Sequence, residues 1–108
     1  VNYEEIIIGI IVNAGNARSK AMEAIHHAKN GEIDKSRERL KQSSEELGKA
    51  HGVQTSLIQQ EAGGQKQEVT LLMIHAQDHL MNAMTVRDLA EEFIDMHIKM
   101  EQAFHKQK

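Results

Sequence analysis

The chain has 108 residues, with 13 Lys and Arg against 16 Asp and Glu, a formal net charge of -3, no Cys, Pro or Trp, one Tyr and two Phe. Charges of both signs are interspersed, which leaves no basic stripe for nucleic acid and no polybasic membrane anchor. Without cysteine this chain has no disulfide framework, no thiolate metal site and no cysteine nucleophile.

The length fits a single domain spanning 1–108, and a chain of this size buries roughly two thirds of the surface its unfolded form exposes. Good helix formers dominate and proline is absent, so an all-α domain is expected.

The first helix is expected from about Asn2 to Lys29, ended by Asn30-Gly31, where glycine supplies the left-handed position past the last turn. Its apolar run, Ile6 to Val12 interrupted by Gly9, falls far short of the ~20 residues a membrane span needs. No basic leader precedes the run, so a signal peptide is not expected and the protein is read as cytoplasmic. Seven β-prone residues in a row also suit a strand, but a lone strand has no partner here and helix is preferred. Such a helix is apolar nearly all round, and a three-helix monomer leaves part of it wet, which implies an oligomer. Gly9, Gly15, Gly48 and Gly52 each cost about 1 kcal/mol relative to alanine inside a helix. Close backbone approach is the expected compensation, with simple tolerance an equal reading at Gly48.

Asp34 is the expected N-cap of a second helix, about 34–61. Ile33, Leu40, Leu47, Gln54 and Glu61 share one heptad position, and Leu57 and Ile58 continue the apolar face. The polar residues late in that series predict a polar neighbour for the C-terminal half.

Ala62-Gly63-Gly64-Gln65 marks a turn, and the third helix is expected from about Glu68 to Phe104, roughly 55 Å long. Val69, Leu72, Ala76, Ala83, Val86, Ala90, Phe93 and Phe104 follow the spacing of a buried stripe. Three long helices joined by short turns give an up-down-up bundle.

Chemistry concentrates in Ile74-His75-Ala76-Gln77-Asp78-His79-Leu80-Met81. Residues three and four apart share a helix face, so His75, Asp78 and His79 are expected to cluster. Of the other histidines, His26, His27, His97 and His105 lie among charges or near helix ends and are assigned no role. His51 is read first as a hydrogen-bonded structural histidine.

Zinc held by His75 and His79 resembles half a zincin site, but Ala76 stands where that motif has its catalytic Glu. A third ligand would have to be His51 or come from another chain. No nucleophile elbow is present, and Gly63-Gly64 lacks the Lys-Ser or Lys-Thr of a phosphate loop. Histidine itself as nucleophile remains. Neutral imidazole, with an unperturbed pKa near ~6.5, both attacks phosphorus and leaves it once protonated. Phosphoryl transfer asks mainly for positioning and donors, for which Gln77 and His79 are candidates. By adjacency alone, Asp78 would be the carboxylate that orients His75.

Val69-Thr70-Leu71-Leu72-Met73-Ile74-His75-Ala76-Gln77-Asp78-His79-Leu80-Met81 resembles the signature of the lactose/cellobiose-type enzyme IIA of the bacterial sugar phosphotransferase system, a family that also serves diacetylchitobiose. Gly9 to Ser19 is similar to that family's first helix and Ala50 to Ile58 to its second, so the resemblance covers essentially the whole chain.

The resemblance implies a homotrimer of three-helix subunits with a phosphohistidine at His75, formed through Nε2. It implies the phosphorylated histidine-containing phosphocarrier protein as donor and a cysteine of the cognate IIB as acceptor. Sugar selection would lie in the membrane partner IIC, so the disaccharide is not legible here. Gln77 and His79 would support His75, with His51 a neighbour of the site. Asp78 would lie where three subunits meet and bind a divalent cation, magnesium, instead of orienting His75. Three carboxylates brought together repel unless neutralised, and a hard cation does that.

Two other classes compete. A two-component histidine phosphotransfer domain typically carries lysine and glycine soon after its histidine, whereas this chain has Asp78 and His79 there. A helical scaffold trimer with a metal-filled core would have no chemistry at all.

Overall fold

The computed structural model describes residues 2–106 and consists of three helices, α1 (Tyr3–Lys29), α2 (Ile33–Ala62) and α3 (Leu71–Lys106). They form the expected up-down-up bundle, 63 × 21 × 19 Å, in which α1 packs on both α2 and α3 while those two touch each other less. The Ile6–Val12 run is helical, and no strand occurs among the described residues. Among those residues no helix is long and apolar enough to cross a membrane.

Both turns close the same way. Gly31 takes φ 78° and Gly64 φ 95°, and the amides of Glu32 and Gln65 donate back to the carbonyls of His27 (2.9 Å) and Gln60 (2.8 Å). Glycine past the helix end thereby satisfies carbonyls that would otherwise be orphaned.

The helix starts differ from expectation. The α2 helix begins at Ile33 with Glu32 as N-cap and no side-chain cap bond, so Asp34 sits inside the first turn. Glu32 instead accepts from His27 Nδ1 (3.0 Å) and Lys35 Nζ (3.2 Å), stapling the turn. Those two hydrogen bonds hold its carboxyl below the usual carboxylate range. The α3 helix begins at Leu71, three residues later than expected, because the Thr70 hydroxyl accepts from the Met73 amide (3.1 Å) and caps it there. Glu68 lies in the irregular segment before it, where its carbonyl accepts from the Tyr3 hydroxyl (3.0 Å).

The core is a seam of small residues. Ile7, Ile10, Ala14, Ala17, Ala21, Ala24 and Ala28 of α1 are all buried, alternating by three and four as in coiled-coil packing. Alanines admit neighbouring helices closely enough for Ser36 Oγ to donate to the Ala24 carbonyl (2.6 Å) and Ser43 Oγ to that of Ala17 (2.7 Å). Both serines are fully buried, and each polar hydrogen is satisfied.

On α3 the buried line is Ala76, Leu80, Ala83, Ala90 and Ile94. Val69, Phe93 and Phe104 are exposed, as is Ile58 on α2, so the sequence-based stripe was partly misplaced. Seen along the helix, Phe93 turns about 100° away from its neighbour Ile94. The displaced apolar groups form a solvent-facing line through Ile74, Met81, Phe93, Met96 and Met100, and Ile8 and Val12 stand exposed on α1. One chain therefore leaves apolar surface uncovered, as the Ile6–Val12 run foretold.

Candidate active site on the third helix

Ala76, Leu80 and Ala83 fix which way α3 faces, and each neighbouring residue points accordingly. His75 is exposed and His79 half-buried. Their rings stack with centroids 5.8 Å apart and planes 11° from parallel, the geometry i, i+4 neighbours can reach on one face.

His79 lies on the α1 side, where it lines a groove of about 470 Å³ with Gly15, Arg18, Ser19 and His26 among its other walls. Gly15 is the one internal helix glycine whose missing side chain matters: a Cβ there would lie 3.3 Å from His79 Nε2. The close approach expected of the glycines is thus realised at Gly15, whereas a Cβ at Gly9, Gly48 or Gly52 would meet nothing within 4 Å.

Gln77 turns to the other flank. It accepts a hydrogen bond from Gln54 Nε2 of α2, and Gln54 is buried. This is the polar neighbour the heptad series on α2 predicted. Two residues along a helix is a rotation of roughly 200°, so within one chain Gln77 is not beside His75.

Asp78 is exposed at the rim of an apolar groove of about 280 Å³ lined also by Tyr3, Leu57, Ile58, Ile74 and Gln77. No hydrogen bond or ion pair joins it to His75 among the described residues. Asp78 stays a helix-surface neighbour of His75, but no bond links the two, and it lines the groove on the Gln77 side whereas His79 lines the one against α1.

His51 is exposed rather than buried, and it lines a separate groove with Leu47, Gly48, Met84 and Asp88. The hydrogen-bonded structural role is not seen, and within one chain His51 is not brought to His75. His27 instead has a close structural partner in Glu32, and His105 Nε2 lies 3.8 Å from the Glu101 carboxylate. Among the described residues no group of three or more His, Cys, Asp or Glu gathers to hold a metal.

The site also contains residues to which the sequence alone assigned no role in it. Gln54 is anchored to Gln77, and Arg18, Ser19 and His26 share the groove with His79. The i, i+4, i+7, i+11 spacing of Gly15, Ser19, Met22 and His26 marks one face of α1, but nothing local tells which neighbour that face meets.

An exposed imidazole stacked on a second one, with donors on a neighbouring groove wall, suits nucleophilic exchange of an anionic group with another macromolecule.

Comparison with known proteins agrees with that chemistry. The family model described as "PTS system, Lactose/Cellobiose specific IIA subunit" matches residues 5–98. The lichenan-specific phosphotransferase enzyme IIA component of Bacillus subtilis is 59% identical over 97 residues, covering 90% of this chain and 88% of the relative. The N,N'-diacetylchitobiose-specific EIIA component of Escherichia coli K12 is 44% identical over 97 residues, covering 90% and 84%. Among solved structures, the cellobiose-specific enzyme IIA from Bacillus anthracis superposes with a TM-score of 0.89 at 48% identity, covering 94% of each chain. The Escherichia coli chitobiose IIA, solved in complex with HPr, gives 0.81 at 42% identity, covering 94% of this chain and 98% of that one.

Proposed function

Because this chain belongs to the lactose/cellobiose-specific IIA family of the sugar phosphotransferase system, we propose that His75 is its phosphoryl acceptor. The chain is a phosphotransferase component, so it needs one nucleophile that a partner's active site can reach. The observation that carries the assignment is the exposure of the His75 ring while the stack with His79 holds it in place.

The donor is the phosphorylated histidine-containing phosphocarrier protein, a reading supported by the structure of the chitobiose relative bound to HPr. The His75 Nε2 lone pair forms a new bond to phosphorus as the bond from phosphorus to the donor ring breaks, and that electron pair returns to the donor nitrogen. Each ring keeps the proton on its other nitrogen, so no external acid is required. In the onward step a cysteine thiolate of IIB attacks phosphorus, the S–P bond forms, and the N–P pair returns to His75. Because phosphoryl transfer depends on alignment more than on covalent apparatus, the roles of the neighbours are positional. His79 braces the ring, and Gln77, tied to Gln54, fixes the rotation of α3. The exchange takes place on the cytoplasmic side, with a sugar of the lactose, cellobiose or chitobiose type selected by IIC.

The uncovered apolar line on α3 supports a homotrimer, with Asp78 on the shared axis. Asp78 has no ion-pair partner among the described residues and is flanked by exposed Ile74 and Met81, with Glu61 the other carboxylate of the same groove. That suits a cation site shared between copies and not one built within a chain. Oxygen-only ligation favours a hard divalent cation such as magnesium. Bound there, the cation neutralises the carboxylates and takes no part in the transfer at His75.

The relay decides the matter. Phosphoenolpyruvate, enzyme I and the phosphocarrier protein should place an acid-labile phosphate on the wild type and none on His75→Gln. Absence of label on the wild type, or equal label on the variant, would refute the carrier reading and leave a scaffold. Asp78→Leu should remain trimeric without bound metal; a monomer with unaltered phosphorylation would overturn the axial role.

A further inference from the structure

We propose that the groove between α1 and α3 is an anion subsite, in which Arg18, Ser19 and His79 hold a phosphate or phosphoryl group next to His75. The open groove has a volume of about 470 Å³, and these three side chains all belong to its lining, Arg18 and Ser19 from its exposed side. Arg18 makes no hydrogen bond or ion pair among the described residues, so a guanidinium with five donors in a planar fork stands unused in a cleft. Glu23 is the one acid in the lining, and Lys20 Nζ lies 3.6 Å from its carboxylate, which leaves the balance of the walls to donors. Ser19 adds a hydroxyl and His79 a ring nitrogen, whereas His26, eleven residues beyond Gly15 on α1, lines the far end of the groove about 16 Å away.

His79 connects the groove to the site. Its ring forms one wall and stacks on His75 at 5.8 Å, so an anion in the groove lies one side chain away from the acceptor. The matched chemistry is a tetrahedral oxyanion, for which a planar bidentate fork is well suited. The identity of the anion as the transferred group rests on the reading of His75 as acceptor; the donor set of the groove does not.

Titration of inorganic phosphate into isotope-labelled protein, at constant ionic strength in chloride, tests the subsite. The ring resonances of His79 and the side-chain resonance of Arg18 should shift saturably in the wild type and equally in His75→Gln. Binding should weaken at least fivefold in Arg18→Gln and stay unchanged in Arg37→Gln, which removes a cation elsewhere. Resonances that do not move, or an Arg18→Gln variant that binds like the wild type, would overturn the proposal. If phosphate fills the groove yet the relay leaves no label on His75, the acceptor reading fails and the subsite stands.

Discussion

The ring of His79 rests against the backbone of α1 at Gly15, where a Cβ would lie 3.3 Å from Nε2. That spacing is tighter than an ordinary van der Waals contact, and the far end of a side chain is the part that can yield. Gly15→Ala should therefore fold well, since alanine inside a helix is favoured by about 1 kcal/mol. The displaced ring should disturb the stack on His75. The expected outcome is a thermal midpoint equal to or above that of the wild type, together with slower phosphorylation by the carrier protein and altered His75 ring shifts. A lowered midpoint with unchanged rate would show that the glycine serves packing alone.

The bond from Gln54 to Gln77 crosses from α2 to α3 in a part-buried setting. Gln54→Leu removes the donor and leaves the Gln77 carbonyl poorly solvated, which costs about 1–3 kcal/mol. The double variant Gln54→Leu/Gln77→Leu replaces both partners with apolar groups and should recover most of that loss. Urea unfolding of the two single variants and the double variant measures the coupling, and additive losses would contradict it.

Two groups at the turns give the stability profile its limbs. The Glu32 carboxyl is held below its ordinary value by His27 and Lys35. A depressed folded value means that its contribution is present above the ordinary carboxylate range and lost as pH falls through the folded value. Tyr3 is shifted the other way, raised above 10.0 by burial and then by Glu68 and Glu61. Its contribution is full below pH 10 and lost as pH rises through the folded value. Thermal midpoints of Glu32→Gln should converge with the wild type in acid, and those of Tyr3→Phe should do so in strong alkali. Curves that stay parallel across the range would contradict both assignments.

Much of this architecture is legible in the chain itself. Asn30-Gly31 and Gly63-Gly64 divide it into three helices because Gly31 and Gly64 adopt positive φ, a conformation that side-chain-bearing residues resist. The crowding of His75, Asp78 and His79 within five positions likewise follows from order along the chain, and so does the pairing of the two histidine rings. The capping of α3 by Thr70 was less legible, because a threonine after a glycine turn competes with several polar neighbours for that role. The true start of α2 was hidden for a related reason: Glu32 spends its carboxylate on His27 and Lys35, leaving a start without the side-chain cap that Asp34 advertised.

What the sequence determined by itself is therefore helical identity, helix number and local adjacency, since each depends on backbone preference and on spacing of three or four. The rotation of α3 came instead from packing between helices. Helical spacing says which residues are neighbours but not which neighbour faces inward. The alanine seam of α1 and the small residues Ala76 and Ala83 of α3 draw the helices together where larger apolar side chains seemed the better core. That close packing turns Phe93 and Phe104 outward, sends Gln77 to Gln54, leaves Asp78 on an open face and sets His79 against Gly15. The division of one histidine-rich segment among three directions is a consequence of packing, and packing involves residues far apart in the chain.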